Sequence, residues 1–183
     1  MSGSAHSEDA APPVLARTPR LLLRELAHDD AAFIMELVND PAWLRFIGDR
    51  NVHSLEDARG YIDKIRDGSY AVHAFGLWAV TALATGEALG MCGLIKRDTL
   101  EHVDLGFAFL ERHRRKGYAS EAARAALELA HARFRLVHLV AVTNLDNTAS
   151  QKVLESLGFR FERQIDWEAS GEVLALYAWD LPA

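Results

Sequence analysis

The sequence contains one cysteine, Cys92, among its 183 residues. A single cysteine excludes an intramolecular disulfide and a cysteine-rich metal site, and it fits a reducing compartment. The residues around Cys92 are small or apolar, so we expect a buried structural thiol and not a nucleophile. No set of His, Asp and Glu residues has the spacing of metal ligands, and neither a glycine-flanked serine nor a Ser-His-Asp order occurs. The sequence therefore predicts no metal site.

Long apolar runs and an excess of positive charge are also missing. No run approaches the length of a transmembrane helix, and the N-terminus has no signal-peptide core. The formal net charge of −6 argues against a general nucleic-acid binder. We therefore expect a cytoplasmic protein that has neither a membrane nor a nucleic acid as its partner.

Residues 1–13 are small and polar and include two prolines, which predicts a disordered lead before a single domain at residues 14–183. The patterns that follow predict a strand, two helices, three strands, a helix, a strand, a helix and two strands. Trp43, Leu44 and Phe46 are expected to form an aromatic loop after Pro41, with Trp43 lining a pocket. This order of elements indicates an α/β fold with helices layered around one mixed sheet.

The stretch at residues 103–129 combines a strand-like run, a basic turn and an alanine-rich helix opened by Gly117. A strand that enters a helix through glycine leaves unpaired N–H groups at the helix start, where the helix dipole favours an anion. The stretch therefore predicts a site for a phosphate-bearing ligand. Four basic side chains add attraction there, namely Arg112, Arg114, Arg115 and Lys116.

The turn has neither the P-loop pattern nor the Gly-x-Gly-x-x-Gly dinucleotide pattern. Its sequence, Arg114-Arg115-Lys116-Gly117-Tyr118-Ala119, fits Arg/Gln-x-x-Gly-x-Gly/Ala instead. Taken alone, these six residues are more typical of a solvated charge run that caps a helix. The same pattern is similar to the acyl-coenzyme-A pyrophosphate loop of the GNAT N-acetyltransferase superfamily.

Two further stretches resemble the same family. Asn147-Thr148-Ala149-Ser150 followed by Leu157-Gly158-Phe159 resembles the signature that closes the family's cofactor cleft. The opening, residues 18–24, and the Asp29-Asp30-Ala31 that follows look like the ribosomal-protein N-terminal acetyltransferase (Rim-type) branch. The three stretches stand in the family's order, and the predicted elements do too, so the resemblance covers the chain after the lead.

The resemblance implies the GNAT fold, a central and mostly antiparallel sheet with helices on both faces. Its fourth and fifth strands, here about residues 103–110 and 137–142, diverge. Acetyl-coenzyme A is then the co-substrate, with its pantetheine arm paired like an added strand to Phe107, Phe109 and Leu110. Asn147 is placed to hydrogen-bond that arm, and it is also an ordinary N-cap candidate for its helix; both roles can hold together. Arg112 and Arg114 become looser electrostatic partners of the diphosphate, which contacts the backbone of Arg115, Lys116, Gly117, Tyr118, Ala119 and Ser120.

Asp104 is the first candidate for a general base, acting through water, because it stands before the Leu-Gly of the family's fourth strand. The alternative is an acidic side chain on a sheet face without a role in chemistry. A backbone N–H near Phe109 is the expected oxyanion donor. Weaker candidates for the base are His102, Glu101, His73 and His113.

Many relatives have a tyrosine where Leu154 stands, so the role of proton donor to the leaving thiolate passes to Ser150. The alternative is that Ser150 only bonds its own helix start. These residues predict an acetyl-coenzyme-A-dependent N-acetyltransferase in which a primary amine, such as a protein N-terminal α-amine, attacks the thioester directly. A small antibiotic-like or polyamine-like acceptor and a non-catalytic acyl-coenzyme-A sensor stay open as alternatives. A homodimer is what some relatives suggest.

Overall fold

The structure is a computed structural model of the chain and describes residues 11–167 and 170–181. Eight strands form one mixed sheet in the order β1-β2-β3-β4-β5-β6-β8-β7. Most of the predicted disordered lead, residues 1–10, lies outside the described residues. The carbonyl of Pro13 already accepts a hydrogen bond from the N–H of Glu25 at 2.9 Å. The strands are β1 Val14–Arg17, β2 Leu21–Arg24, β3 Leu77–Ala82, β4 Ala88–Ile95, β5 Asp104–Phe109, β6 His138–Asn144, β7 Arg160–Trp167 and β8 Glu172–Asp180.

The α-helices follow the predicted order, with two additions. They are α1 Ala31–Val38, α2 Pro41–Phe46, α3 Leu55–Ile65, α4 Ala71–His73, α5 Tyr118–Ala132 and α6 Thr148–Ser156. The long helix α3 begins as its capping pattern predicts, because the Ser54 hydroxyl accepts a hydrogen bond from the N–H of Asp57 at 3.1 Å. None of the helices in the described ranges is long and apolar enough to cross a bilayer.

The predicted aromatic loop is wrong, because residues 41–46 form the helix α2. Asp40 caps this helix by accepting a hydrogen bond from the N–H of Ala42 at 2.9 Å, and Pro41 occupies its first turn, where no N–H is needed. Trp43 is 5% exposed and packs in the core between α1, α3 and the sheet. It therefore supports the fold and does not line a pocket as expected.

The short edge strand β1 was absent from the prediction. It pairs antiparallel with β2 but contributes only four residues, two of them exposed. A short, half-exposed edge strand has little hydrophobic periodicity, so no alternation of apolar and polar residues marks it in the sequence.

The two faces of the sheet are covered unequally. Helices α5 and α6 pack on one face, where Leu139 and Ala141 of β6 lie in their core cluster. On the other face, α1 and α3 pack on β3 and β4 at Ala79 and Met91. No described helix covers the part of this second face formed by β6, β8 and β7. The prediction of helices on both faces is confirmed, and the uncovered part becomes an open groove.

The strands β5 and β6 diverge, as predicted for residues 103–110 and 137–142. β5 pairs with β4 over six residue pairs but meets β6 only at Asp104 and Val140. The N–H of Val140 donates to the carbonyl of Val103 at 3.0 Å. Because the two strands run parallel and share one pair at their beginnings, a gap opens between them towards their carboxyl ends.

Candidate active site

The gap between β5 and β6 exposes one edge of β5. Leu110 donates its N–H to Leu89 of the β4 side, and the carbonyl of Val103 faces β6. Backbone groups of a strand alternate between its two neighbours. The N–H groups of Leu105, Phe107 and Phe109 therefore face the gap. The parallel pair directs the N–H of Leu105 to Val140, so Phe107 carries the first N–H that is left for a ligand.

Leu110 does not belong to this edge, which corrects its predicted role in pairing with pantetheine. Its N–H donates to the carbonyl of Leu89 at 3.0 Å, and its carbonyl accepts from the N–H of His113 at 2.9 Å. The side chain is 2% exposed in the core. Because both its N–H and its carbonyl are hydrogen-bonded inside the protein, Leu110 has no free backbone group to pair with an added strand.

Residues 115–120, here called the anion loop, join β5 to α5 in a conformation suited to a phosphate. Arg115 and Gly117 have positive φ values of 58° and 79°, and backbone that alternates in this way turns successive N–H groups towards one concave side. None of the N–H groups from Gly117 to Ser120 donates a hydrogen bond to a described residue. The fifteen-residue helix α5 adds its positive dipole end at the same place.

Two of the four basic side chains near the loop are engaged elsewhere. Arg112 forms an ion pair with Glu36 of α1, and Arg114 pairs with Asp40 and donates to the carbonyl of Phe109 at 2.8 Å. Both guanidinium groups are thus paired within the protein, and their role as looser electrostatic partners of a diphosphate stays a prediction. Charge for an anion is left to the exposed Arg115 and Lys116.

Asp104 is a buried carboxylate at the closed end of the gap. It is 1% exposed, and its Oδ2 accepts a hydrogen bond from Nε of Arg97 at 2.6 Å. Oδ1 has no partner among the described residues. Burial raises the pKa of Asp104 to about 6, against the opposing effects of Arg97 and of the Val142 N–H. A carboxyl group with such a pKa and one free oxygen is suited to exchange a proton near neutral pH.

The start of α6 faces the gap from the β6 side. The side-chain oxygen of Asn147 accepts a hydrogen bond from the N–H of Ser150 at 3.2 Å, so the capping alternative holds for Asn147. Its amide nitrogen and the Ser150 hydroxyl have no described protein partner and stay free for a ligand. Leu154 is 2% exposed in the core beneath α6, so it offers packing only.

The uncovered face of β6, β8 and β7 forms the floor of the open groove, which has a volume of about 1380 Å³. Residues 44–50 and 97–102 form its walls. Asp104 lies beside the floor: Val140, its neighbour across the β5–β6 pair, and its partner Arg97 line the groove, but Asp104 itself does not. Carboxylates outnumber arginines among the lining residues of the described chain, with Asp49, Asp98, Glu101, Glu162, Asp166 and Glu172 against Arg45, Arg50, Arg97 and Arg163.

The weaker candidates for a base lie in different places. His73 stacks on Phe75 with ring centroids 5.6 Å apart, and His113 is nearly buried against Glu87 at 2.9 Å. His102 and Glu101 line the open groove. Only these last two share the groove with Arg97, the partner of Asp104. No group of three or more potential metal ligands occurs within the described ranges.

Two arginines of this region were missed by the sequence analysis. Arg97 follows β4 in a segment without a motif, so no local signal marks it as the partner of Asp104. Arg20 belongs to the stretch at residues 18–24, but it was noted there only as part of a resemblance. In the structure it contacts the anion loop, with its Nη1 donating to the carbonyl of Lys116 at 2.9 Å.

Comparison with known proteins agrees with this geometry. The sequence model described as the Acetyltransferase (GNAT) domain matches residues 20–160. An N-acetyltransferase named p20 from Bacillus licheniformis is 28% identical over 167 residues, which are 90% of this chain and 93% of that protein.

Solved structures show the same fold. An acetyltransferase of the GNAT family from Bacillus anthracis superposes with a TM-score of 0.75 at 24% identity and covers 92% of this chain and 98% of its own. A ribosomal L7/L12 alpha-N-protein acetyltransferase, RimL, in complex with coenzyme A gives a TM-score of 0.76 at 16% identity and covers 92% and 98%. At these identities the likeness establishes the architecture.

Proposed function

Because the chain belongs to the GNAT acetyltransferase family, we propose that it transfers an acetyl group from acetyl-coenzyme A to the α-amine at a protein N-terminus. GNAT acetyltransferases use acetyl-coenzyme A, and this chain is an enzyme of that family. The proposal rests above all on the divergence of β5 and β6, whose single pair leaves a gap between the anion loop and the open groove.

The residues around the gap fit the parts of coenzyme A. The anion loop offers four free N–H groups and a helix dipole to the diphosphate. Phe107 offers its N–H and carbonyl, and Phe109 its N–H, to the amides of pantetheine, because the carbonyl of Phe109 is bonded to Arg114. Asn147 offers its amide nitrogen from the other side. A six-residue strand spans about 17 Å between its first and last Cα atoms, which suits an extended arm.

Bound acetyl-coenzyme A supplies an acyl group that is already activated, so the protein has few tasks left. The N–H of Phe107 is the better oxyanion donor, because it lies about 10 Å along the strand from Asp104 while that of Phe109 lies about 17 Å away. A well-placed donor of this kind lowers a barrier by roughly 3 kcal/mol.

Asp104 takes the proton of the acceptor ammonium through water, since its Oδ1 has no described partner and its neighbours Val140 and Arg97 line the groove. The amine nitrogen then bonds to the acyl carbon while the carbon–sulfur bond breaks, and the second proton of that nitrogen passes to solvent water. Ser150 gives its hydroxyl proton to the leaving thiolate and regains one from solvent.

The open groove supports a polypeptide acceptor. Its volume of about 1380 Å³ exceeds the roughly 300–1,000 Å³ of sites for small molecules. Its excess of carboxylates favours a cationic chain end. The structural likeness to an alpha-N-protein acetyltransferase, RimL, points in the same direction by analogy.

The test is a thiol-release assay with acetyl-coenzyme A and three kinds of acceptor. We expect turnover with peptides that carry a free α-amine, none with the same peptides blocked at the N-terminus but containing lysine, and slow turnover with polyamines and aminoglycosides. A preference for the small amines would refute the protein acceptor. Coenzyme binding without turnover on any acceptor would refute the transferase itself and favour a sensor.

A further inference from the structure

The side chain of Arg20, which lies in the turn between β1 and β2, contacts the anion loop. Its Nη1 donates to the carbonyl of Lys116 at 2.9 Å. Its guanidinium lies over the ring of Tyr118, 4.6 Å from the centroid, and its Nη2 lies 3.3 Å from the place that a Cβ on Gly117 would occupy. One side chain thus contacts Lys116 and Tyr118 and lies against Gly117 between them.

The same guanidinium holds Glu121, an acid in the first turn of α5. Nε of Arg20 donates to Oε2 of Glu121 at 2.6 Å, and its backbone N–H donates to Oε1 at 3.0 Å. The Thr18 hydroxyl donates to the same Oε1 at 2.6 Å. Burial acts to raise the pKa of Glu121, but these hydrogen bonds outweigh it, and the pKa is lowered. Glu121 is therefore an anion beside a site for anions, and Arg20 is the cation that offsets it.

The contact with Lys116 sets the direction of one free donor. The carbonyl of Lys116 and the N–H of Gly117 belong to one planar peptide and point in opposite directions. Because Arg20 draws the carbonyl towards the β1–β2 turn, the N–H of Gly117 points away from that turn. Glycine tolerates several backbone conformations at this place, so the peptide would be free to rotate without an external hold.

We propose that Arg20 is a positioning residue for the diphosphate of coenzyme A: it holds the Lys116–Gly117 peptide in the anion-binding orientation and neutralises Glu121. This rests on the proposed function, in which the anion loop binds that diphosphate. Each nitrogen of the guanidinium is engaged by Glu121 or by the loop carbonyl. We therefore assign Arg20 a role that acts through the loop.

Arg20→Gln tests the role by comparing two probes, coenzyme A and pantetheine, which lacks the phosphates. We expect the dissociation constant for coenzyme A, measured by calorimetry, to rise about tenfold, the worth of one charge-assisted hydrogen bond. Pantetheine binding, followed by NMR titration, should stay unchanged. In Arg20→Lys most of the loss of coenzyme A affinity should remain, because one ammonium cannot hydrogen-bond both Glu121 and the carbonyl of Lys116.

Arg17→Gln is the matched control, since Arg17 is an exposed residue three positions away in the same hairpin. It should leave both affinities as they are. Unchanged coenzyme A affinity in Arg20→Gln, equal losses for both probes, or full rescue by lysine would each overturn the positioning role. Failure of the unaltered protein to bind coenzyme A would instead refute the proposed function.

Discussion

The anion loop, which follows β5, and the open groove, whose floor is β6, β8 and β7, are built in different ways. The loop is a short, continuous segment whose free donors are backbone N–H groups, shaped by Arg115 and Gly117 at positive φ. The groove is assembled from side chains of several distant segments, with Arg97 covering the carboxylate of Asp104. The difference teaches that a binding site made of backbone groups can be recognised from a local sequence motif, whereas a site assembled from distant side chains cannot.

The comparison predicts that single changes will affect either coenzyme binding or turnover, but not both. The largest effect is expected for Asp104→Asn, which removes the base without touching the loop. Turnover should fall by about 10²- to 10⁴-fold while coenzyme A affinity is kept. The thiol-release rate and calorimetry measure the two quantities. Asp67→Asn, at an exposed acid outside the groove, is the control and should leave turnover unchanged; a comparable loss there would contradict the assignment.

The same variant gives an independent reading of stability. The pKa of Asp104 in the folded protein, about 6, lies above its ordinary value of 3.8. Stabilisation from this group is therefore present at low pH and is lost as the pH rises through about 6. At pH 8, Asp104→Asn should raise the free energy of unfolding, whereas at pH 4 the gain should vanish. Urea titrations at the two pH values measure the free energy of unfolding. An equal effect of the substitution at both would mean that the pKa of the Asp104 carboxyl is not raised.

The reverse pattern is expected for Gly117→Val. A β-branched residue at a φ of 79° strains the backbone by about 1–3 kcal/mol and displaces the free N–H groups. Coenzyme A affinity should fall by about 10- to 100-fold. Gly86→Val provides a matched control, because Gly86 has a φ of 75° with nothing within 4 Å of an added Cβ. If both variants bind coenzyme A equally well, the anion loop is assigned wrongly.

A smaller effect is expected for Ser150→Ala. Its hydroxyl has no described protein partner, so the helix should lose little when it is removed, but the leaving thiolate loses its proton donor. Turnover should fall by about tenfold, at or below the low end of general acid–base contributions, since a thiolate leaves readily. Ser156→Ala, which removes a hydroxyl bonded to the carbonyl of Val153 at 2.7 Å, should leave turnover unchanged. An unaltered rate in Ser150→Ala would remove this residue from the mechanism.

The smallest change is a shift along the pH axis in Arg97→Gln. Arg97 favours the ionised form of Asp104, so its removal should raise the pKa of that carboxyl further. The acidic limb of the pH–rate profile should move to higher pH, with the plateau rate kept where Asp104 is fully ionised. A limb that stays in place would show that another group sets it.

Most of the architecture could be predicted because it follows from local patterns. The strand–turn–helix at residues 103–129 and the diverging strands were confirmed, as was the start of α3 at Ser54. The predictions were wrong where the local sequence pattern favoured no structure or fitted two structures equally well. Pro41 can follow one helix or begin the next, and only packing of Trp43 between α1 and α3 makes it a beginning. Leu110 looked like a residue of a free edge until its hydrogen bonds with Leu89 and His113 were known.

By itself, the sequence determined most of the order of the elements and the start of α5 at Gly117, because both depend on neighbouring residues. Tertiary structure alone decided which charges remain available to a ligand. Arg114 pairs with Asp40 across 74 positions, and Arg20 bonds Glu121 across 101. The carboxyl of Asp104 obtains its raised pKa from the layers that bury it. Such charge effects depend on distances in space and on burial, and the order of residues along the chain gives neither quantity directly.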